Sequence, residues 1–263
     1  MESRMTFGGH LEVLRRMLFR ILAVVLALAV VIFCFKERTF TWLLAPSEWD
    51  FVTYRAIERL LHLMGSGFTF NEFHVNLIAT DLSSQFMTHV TTAFLLGALC
   101  ASPYILFELY RFIIPALYAN EKRHAVKVAV TVYLLFVAGV LMSYYVLFPV
   151  SFRFLGTYSV AERVESNITL DSYIRTFTGL TLVMGLVFQL PVLTVMLGKM
   201  GLLRSALLAR YRKYALLAIL LTAAIITPPD LMTLLLVALP LYLLYEVSRL
   251  LLKRMERKNG ADK

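Results

Sequence analysis

Residues 128–152 read VAVTVYLLFVAGVLMSYYVLFPVSF, 25 consecutive positions without a charged side chain. As an α-helix rising about 1.5 Å per residue, such a run crosses a hydrocarbon core about 30 Å thick with residues to spare. Outward from it, five more uncharged runs appear at 21–35, 91–107, 176–198, 214–229 and 231–245. The run at 176–198 holds 23 residues and spans comfortably, whereas the last two hold 16 and 15, a rise of only about 22–24 Å. The 263-residue chain is 59% hydrophobic and 16% charged, with a mean hydropathy of +0.73. Soluble domains carry roughly 45–50% apolar residues, so lipid must be the solvent for much of this surplus. The predicted fold is an all-α integral membrane protein, a single domain over 1–263 with six transmembrane helices near 17–35, 86–107, 126–150, 175–197, 212–227 and 231–248 and outer loops at 36–85 and 151–174.

The last two runs meet at Thr227-Pro228-Pro229-Asp230. Two prolines withdraw backbone donors, and the residue before a proline is pushed out of the helical region. A single helix through this point would leave backbone groups and a carboxylate unsatisfied in hydrocarbon, so Pro228, Pro229 and Asp230 predict a tight hairpin between two short C-terminal helices. Charge sets the orientation. Lysine and arginine number 4 up to Arg20, 4 in 108–127, 5 in 199–213 and 6 from Glu246 onward, 19 on one side. The other side holds the remaining 7 with 10 of the 17 acidic residues, so net +12 faces net −3. The positive-inside rule then puts both termini in the cytoplasm. The overall charge of +9 reflects membrane topology, and no nucleic acid partner is expected.

The first run is followed by Lys36, Glu37 and Arg38 without a small-x-small cleavage pattern, and is read as a retained anchor. In the outer loop, Ile57, Leu60, Leu61 and Met64 repeat at helical spacing and predict a short amphipathic helix on the outer surface. Cys34 and Cys100 sit inside apolar segments, with no metal-ligand or disulfide spacing. There is no GxxxxGK[ST] loop, HExxH or GxSxG, and the five histidines are scattered. Neither an enzyme nor a cofactor is expected. Intramembrane polar groups carry more information, because each must face protein or a wet cavity. Gln189 stands mid-way along the fourth span, two residues before Pro191, which should bend that helix. On the basic side, Glu12 and Glu121 lie among arginines and lysines. Either could receive a guanidinium through paired hydrogen bonds, or simply pair with a neighbouring cation at the surface.

Read in order, several segments resemble one family. They are His10-Leu11-Glu12 with Leu14-Arg15-Arg16, Pro103-Tyr104-Ile105-Leu106 leading into Phe112-Ile113-Ile114-Pro115-Ala116-Leu117-Tyr118, and then Glu121-Lys122-Arg123. Phe148-Pro149, Phe188-Gln189-Leu190-Pro191-Val192 and Thr227-Pro228-Pro229-Asp230, with Pro240 and Glu246 beyond, continue the series. Over nearly its whole length the chain resembles the TatC family, the multispanning receptor subunit of the twin-arginine protein translocase. The resemblance implies a concave, glove-like bundle of six helices in a bacterial cytoplasmic membrane. It also implies binding of the twin-arginine signal peptides of folded cargo, single-span partners of the TatA and TatB type, homo-oligomers within a larger complex, and transport driven by the protonmotive force.

Carried over residue by residue, the resemblance makes Glu121 the acid that receives the signal's arginines, with Phe112, Tyr118, Glu12 and Arg15 on the same surface and Pro46 in the outer cap. Two positions depart from the pattern. The family usually reads His-Leu-Glu-Glu-Leu-Arg, and here Val13 replaces the second acid; at Gln189 many members carry glutamate. A secondary transporter of a small solute is the rival class, but it should show repeat symmetry and ion-coordinating broken helices. Only Gln189 and the bend at Pro191 point that way.

Overall fold

The computed structural model describes residues 7–65, 73, 75–117, 125–158, 167–227 and 230–261. Its elements run α1 (Phe7–Cys34), α2 (Lys36–Leu44) with a short 3-10 turn (Ala45–Ser47), α3 (Val52–Leu63), β1 (Leu77–Ile78), α4 (Ser84–Leu117), α5 (Ala125–Met142), a π turn (Ser143–Leu147), α6 (Phe148–Thr157), β2 (Ile168–Thr169), α7 (Leu170–Val187), α8 (Leu190–Lys199), α9 (Ser205–Arg210), α10 (Arg212–Ile226) and α11 (Leu231–Ala261). Among the described residues five segments are long and apolar enough to cross a membrane: Leu11–Cys34, Ser84–Leu109, Val128–Thr157, Leu170–Lys199 and Leu231–Arg257. The described residues pack as two compact units, Met1–Phe40 with Gln85–Tyr133, and Thr41–Ser84 with Leu134–Lys263.

In the first unit α1 packs on α4. Met17, Val25 and Ala29 are buried, with Leu14, Ile21, Val24 and Leu28 half-buried between them. That three-and-four spacing is the stripe of a helix with one packed side. Opposite Ala29 stands Gly97, where a Cβ would come within 2.8 Å of the Ala29 backbone nitrogen. Small residues let helix backbones meet this closely, and lipid-embedded packing depends on such contacts. Further along, His89 stacks on Phe33 with ring centroids 4.0 Å apart and meets Phe40 edge-on at 5.6 Å.

In the second unit, α5 and its continuation run antiparallel to α7. Gly185 faces the Phe136 ring, Gly139 faces the Met184 carbonyl, Ser143 Oγ lies 3.2 Å from Thr181 Oγ1, and Phe148 packs edge-on against Phe177 and Tyr173. The π turn precedes Pro149, which has no N–H to give to the preceding turn. The Thr53 hydroxyl donates to the Tyr145 carbonyl in that turn.

Among the described residues of the expected outer loop 36–85, most are helical. The amphipathic helix appears as α3, and α2 is an addition the periodicity did not announce. A helix leaves its last carbonyls without partners, and here side chains supply the donors. Tyr144 Oη donates to Trp42 O (2.6 Å), Tyr173 Oη to Leu43 O (2.8 Å) and Ser47 Oγ to Leu44 O (2.6 Å). Tyr54 Oη reaches Pro46 O at 3.0 Å and Pro149 O at 2.9 Å, so buried Pro46 is anchored through its carbonyl. Burial pushes the Tyr54 phenol well above its ordinary range, the nearby Arg153 guanidinium opposing the shift in part. Tyr54 therefore remains a neutral donor. The Arg153 guanidinium lies over the Tyr54 and Phe73 rings at 5.0 and 4.6 Å. A parallel pairing, Leu77 with Ile168 and Ile78 with Thr169, ties together the two expected outer loops. Tyr54→Phe should lower stability by about 1–3 kcal/mol, because buried carbonyls lose their donor. A thermal melt of the detergent-solubilised protein unchanged by this substitution would contradict the anchoring role.

The C-terminal pair differs from expectation. α10 is short, 15 residues, but α11 runs for 31, so only the first of the two predicted short helices is short. The uncharged run stops at Glu246, yet the helix continues because that carboxylate is neutralised in place. Arg212 and Arg249 lie 3.0 and 2.8 Å from its Oε2. The length of an uncharged run thus marked the first charge, not the end of the helix. The break between α10 and α11 falls where expected: Asp230 Oδ1 accepts from the Thr233 backbone N–H at 2.6 Å, an N-terminal cap for α11. Pro228 and Pro229 lie outside the described residues.

Candidate functional site

The basic end of α1 begins with an i,i+4 ion pair, Glu12 to Arg16, both side chains more than half exposed. Pairs of this kind contribute little stability. Arg15 is exposed one residue away. The next positions on the helix do something different. Val13, Arg16, Met17 and Arg20 line a cleft of about 250 Å³ whose other wall is Glu108 and Arg111 of α4.

Glu108 is the innermost polar group here, only 8% exposed. Tyr104, one turn earlier on α4, donates its hydroxyl to Oε1 at 3.2 Å. Arg20 Nη1 is 3.8 Å from the same oxygen, with the arginine side chain 58% exposed. At that separation the contact is electrostatic, beyond hydrogen-bond length. Oε2 has no hydrogen bond or ion pair among the described residues. A buried carboxylate is costly to desolvate unless closely paired, and among the described residues only the Tyr104 hydroxyl reaches this one at hydrogen-bond length. The cleft has the means to hold a planar cation: one deep acceptor with an oxygen unpaired among the described residues, an apolar wall at Val13 and Met17, and a resident guanidinium that is more than half exposed.

Sequence reasoning passed over Glu108, counting it only as a charge of the 108–127 segment. The available signal was its position, an acid directly after the uncharged run 91–107, four residues after Tyr104 and three before Arg111. On a helix that spacing puts all three on one side.

Of the residues singled out in the sequence, Phe112 lies on α4, with its side chain outside the described residues; Tyr118 and Glu121 lie outside them altogether. Gln189 belongs to the other unit. The expected bend is an interruption: α7 ends at Val187, Phe188 and Gln189 form a turn, and α8 restarts at Leu190 with Pro191 in its first turn. Gln189 is buried, its Nε2 donating weakly to Gly185 O at 3.5 Å, while its backbone carbonyl accepts from Leu193 N at 3.0 Å. Among the described residues no group of histidine, cysteine, aspartate and glutamate could hold a metal ion.

Comparison with known proteins places this geometry. The model of the Sec-independent protein translocase protein (TatC) family matches residues 9–240. The TatC protein of Desulforapulum autotrophicum is 31% identical over 261 residues, covering 99% of this chain and 89% of that protein. TatCy of Bacillus subtilis is 36% identical over 184 residues, covering 70% of this chain and 72% of its own. A crystal structure of the twin arginine translocase receptor TatC superposes with a TM-score of 0.75 at 30% identity, covering 93% of this chain and 98% of that one. A second, in the detergent DDM, gives 0.76 at 29% identity over 92% and 98%. With a family match spanning most of its length and a relative 31% identical over 99% of it, the chain belongs to the TatC family of Sec-independent protein translocase proteins.

Proposed function

We propose that this chain is the receptor subunit of a twin-arginine translocase, binding the paired arginines of a signal peptide at the cytoplasmic face of a bacterial inner membrane. One observation on the chain itself supports the reading most: a buried carboxylate, Glu108, with one oxygen unpaired among the described residues, at the head of a cleft beside the basic end of α1. Glu121 would take the arginine pair, with Phe112 and Tyr118 packing beside it and Glu12 and Arg15 at the rim. The apolar part of the signal would then pass towards Gln189, whose amide offers a polar floor without a formal charge. In this reading the chain has six spans with α10 as the short fifth, and both termini are cytoplasmic. It works with single-span TatA- and TatB-type subunits, in several copies, exporting folded cargo by the protonmotive force.

Site-specific photocrosslinking tests this. A crosslinker at position 112, 121 or 189 should capture a twin-arginine precursor, and changing the precursor's two arginines to lysines should abolish capture at 112 and 121. Equal capture of both precursors would reject the receptor assignment.

A further inference from the structure

We propose that Glu108 is an arginine-binding acid of this receptor, carried on α4 where the chain has no acid at position 13 of α1. The proposal rests on the receptor reading above and deepens it, giving the carboxylate that supports it a role which that reading, in assigning the arginine pair to Glu121, leaves open. Val13 and Glu108 line the same cleft from its two walls, so a carboxyl group on either would reach the same space. With Val13 apolar, Glu108 is the one anion among the described residues that line the cleft.

Depth decides what the cleft binds. Its arginines would suit an anion such as a lipid phosphate, but they lie outermost: the Arg16 and Arg20 side chains are 68% and 58% exposed, against 10% for that of Glu108. Arg16 is already held by Glu12. A ligand entering the cleft therefore ends on a carboxylate, which selects a cation. A carboxylate offers about four acceptor positions, and here only Tyr104 fills one at hydrogen-bond length among the described residues. A guanidinium arriving at Oε1 and Oε2 can bond to both in parallel, as arginine does and lysine cannot. Arg20 marks the route, a guanidinium drawn to Oε1 but stopped at 3.8 Å. When the signal's arginine takes its place Arg20 turns outward, and no additional anion is required.

The test uses the full-length protein in membranes with its partner subunits, and a twin-arginine precursor bearing a photocrosslinker next to its arginine pair. Glu108→Gln retains an acceptor for Tyr104 but loses the charge. Crosslinking should fall by at least about tenfold, since charge-assisted hydrogen bonds exceed the increment that a tenfold change represents. Preference for arginine-pair over lysine-pair precursors should shrink with it. Adding Val13→Glu to Glu108→Gln should restore both, because the acid returns to the same cleft from the other wall; a merely structural Glu108 would not be rescued this way. Should Glu108→Gln fail to accumulate, Glu108→Asp takes its place, with reduced crosslinking recovered by Val13→Glu. Glu108→Gln crosslinking within twofold of wild type, or a loss in folded protein that Val13→Glu leaves uncorrected, overturns the proposal. So does Glu108→Gln that gains affinity for anionic-lipid vesicles while binding precursor as before, which would make the cleft a phosphate site. In all these cases the wild type still discriminates the two precursors; if it does not, the receptor reading itself has failed.

Discussion

Cells carrying Glu121→Ala as their only copy of this protein are expected to export a twin-arginine reporter at background level. In the proposed docking step the carboxylate accepts two hydrogen bonds from a guanidinium, and each such charge-assisted bond contributes about 1.5–3 kcal/mol. Alanine removes both and also the electrostatic attraction that orients the pair. With every 1.4 kcal/mol worth about tenfold, affinity should drop by about a hundredfold or more, enough to uncouple a receptor from its cargo. Fractionation of the reporter between cytoplasm and periplasm reads the result directly. The mutant chain should still accumulate in the membrane, which an immunoblot of the membrane fraction checks. Export at the wild-type rate would exclude Glu121 from the docking step.

The second large effect is structural. Gly139→Val should prevent stable accumulation of the protein. A Cβ at this position would fall 2.5 Å from the Met184 carbonyl oxygen and 2.9 Å from its carbon, both backbone atoms of α7. A flexible side chain could turn aside, but a helix backbone yields only if the whole helix moves. Displacing α7 would also disturb the Phe136–Gly185 and Ser143–Thr181 contacts along the same line. Overpacking in a dense interior costs about 1–3 kcal/mol even where side chains can adjust, and a backbone clash should exceed that. Gly179→Ala is the control, because its nearest neighbours on Ile226 lie at 3.8 Å, ordinary contact distance, and alanine favours the helix. Membrane accumulation and a detergent melt of both variants check the contrast. A Gly139→Val protein as stable as wild type would mean that α5 and α7 do not approach so closely.

What the sequence determined by itself follows from the solvent. Hydrocarbon tolerates neither charge nor free backbone donors, so the long helices, the break between α10 and α11 and the break near Pro191 are written into linear composition and proline placement. The amphipathic α3 was legible for the same reason, since its period is local. The residues proposed to receive a signal peptide came only through a resemblance, residue by residue. The tertiary structure decided whatever depends on distant positions meeting. No local rule sends Tyr144 and Tyr173 to the carbonyls that end α2, or pairs Leu77 with Ile168. Nor does one bring Arg212 of another helix to Glu246 in α11. Glu108 is the sharpest case: in the sequence it is one charge among several at the end of an uncharged run. Only the packing of α4 against α1 buries it opposite Val13 and turns a loop charge into a binding group, because burial raises the cost of leaving a carboxylate unpaired.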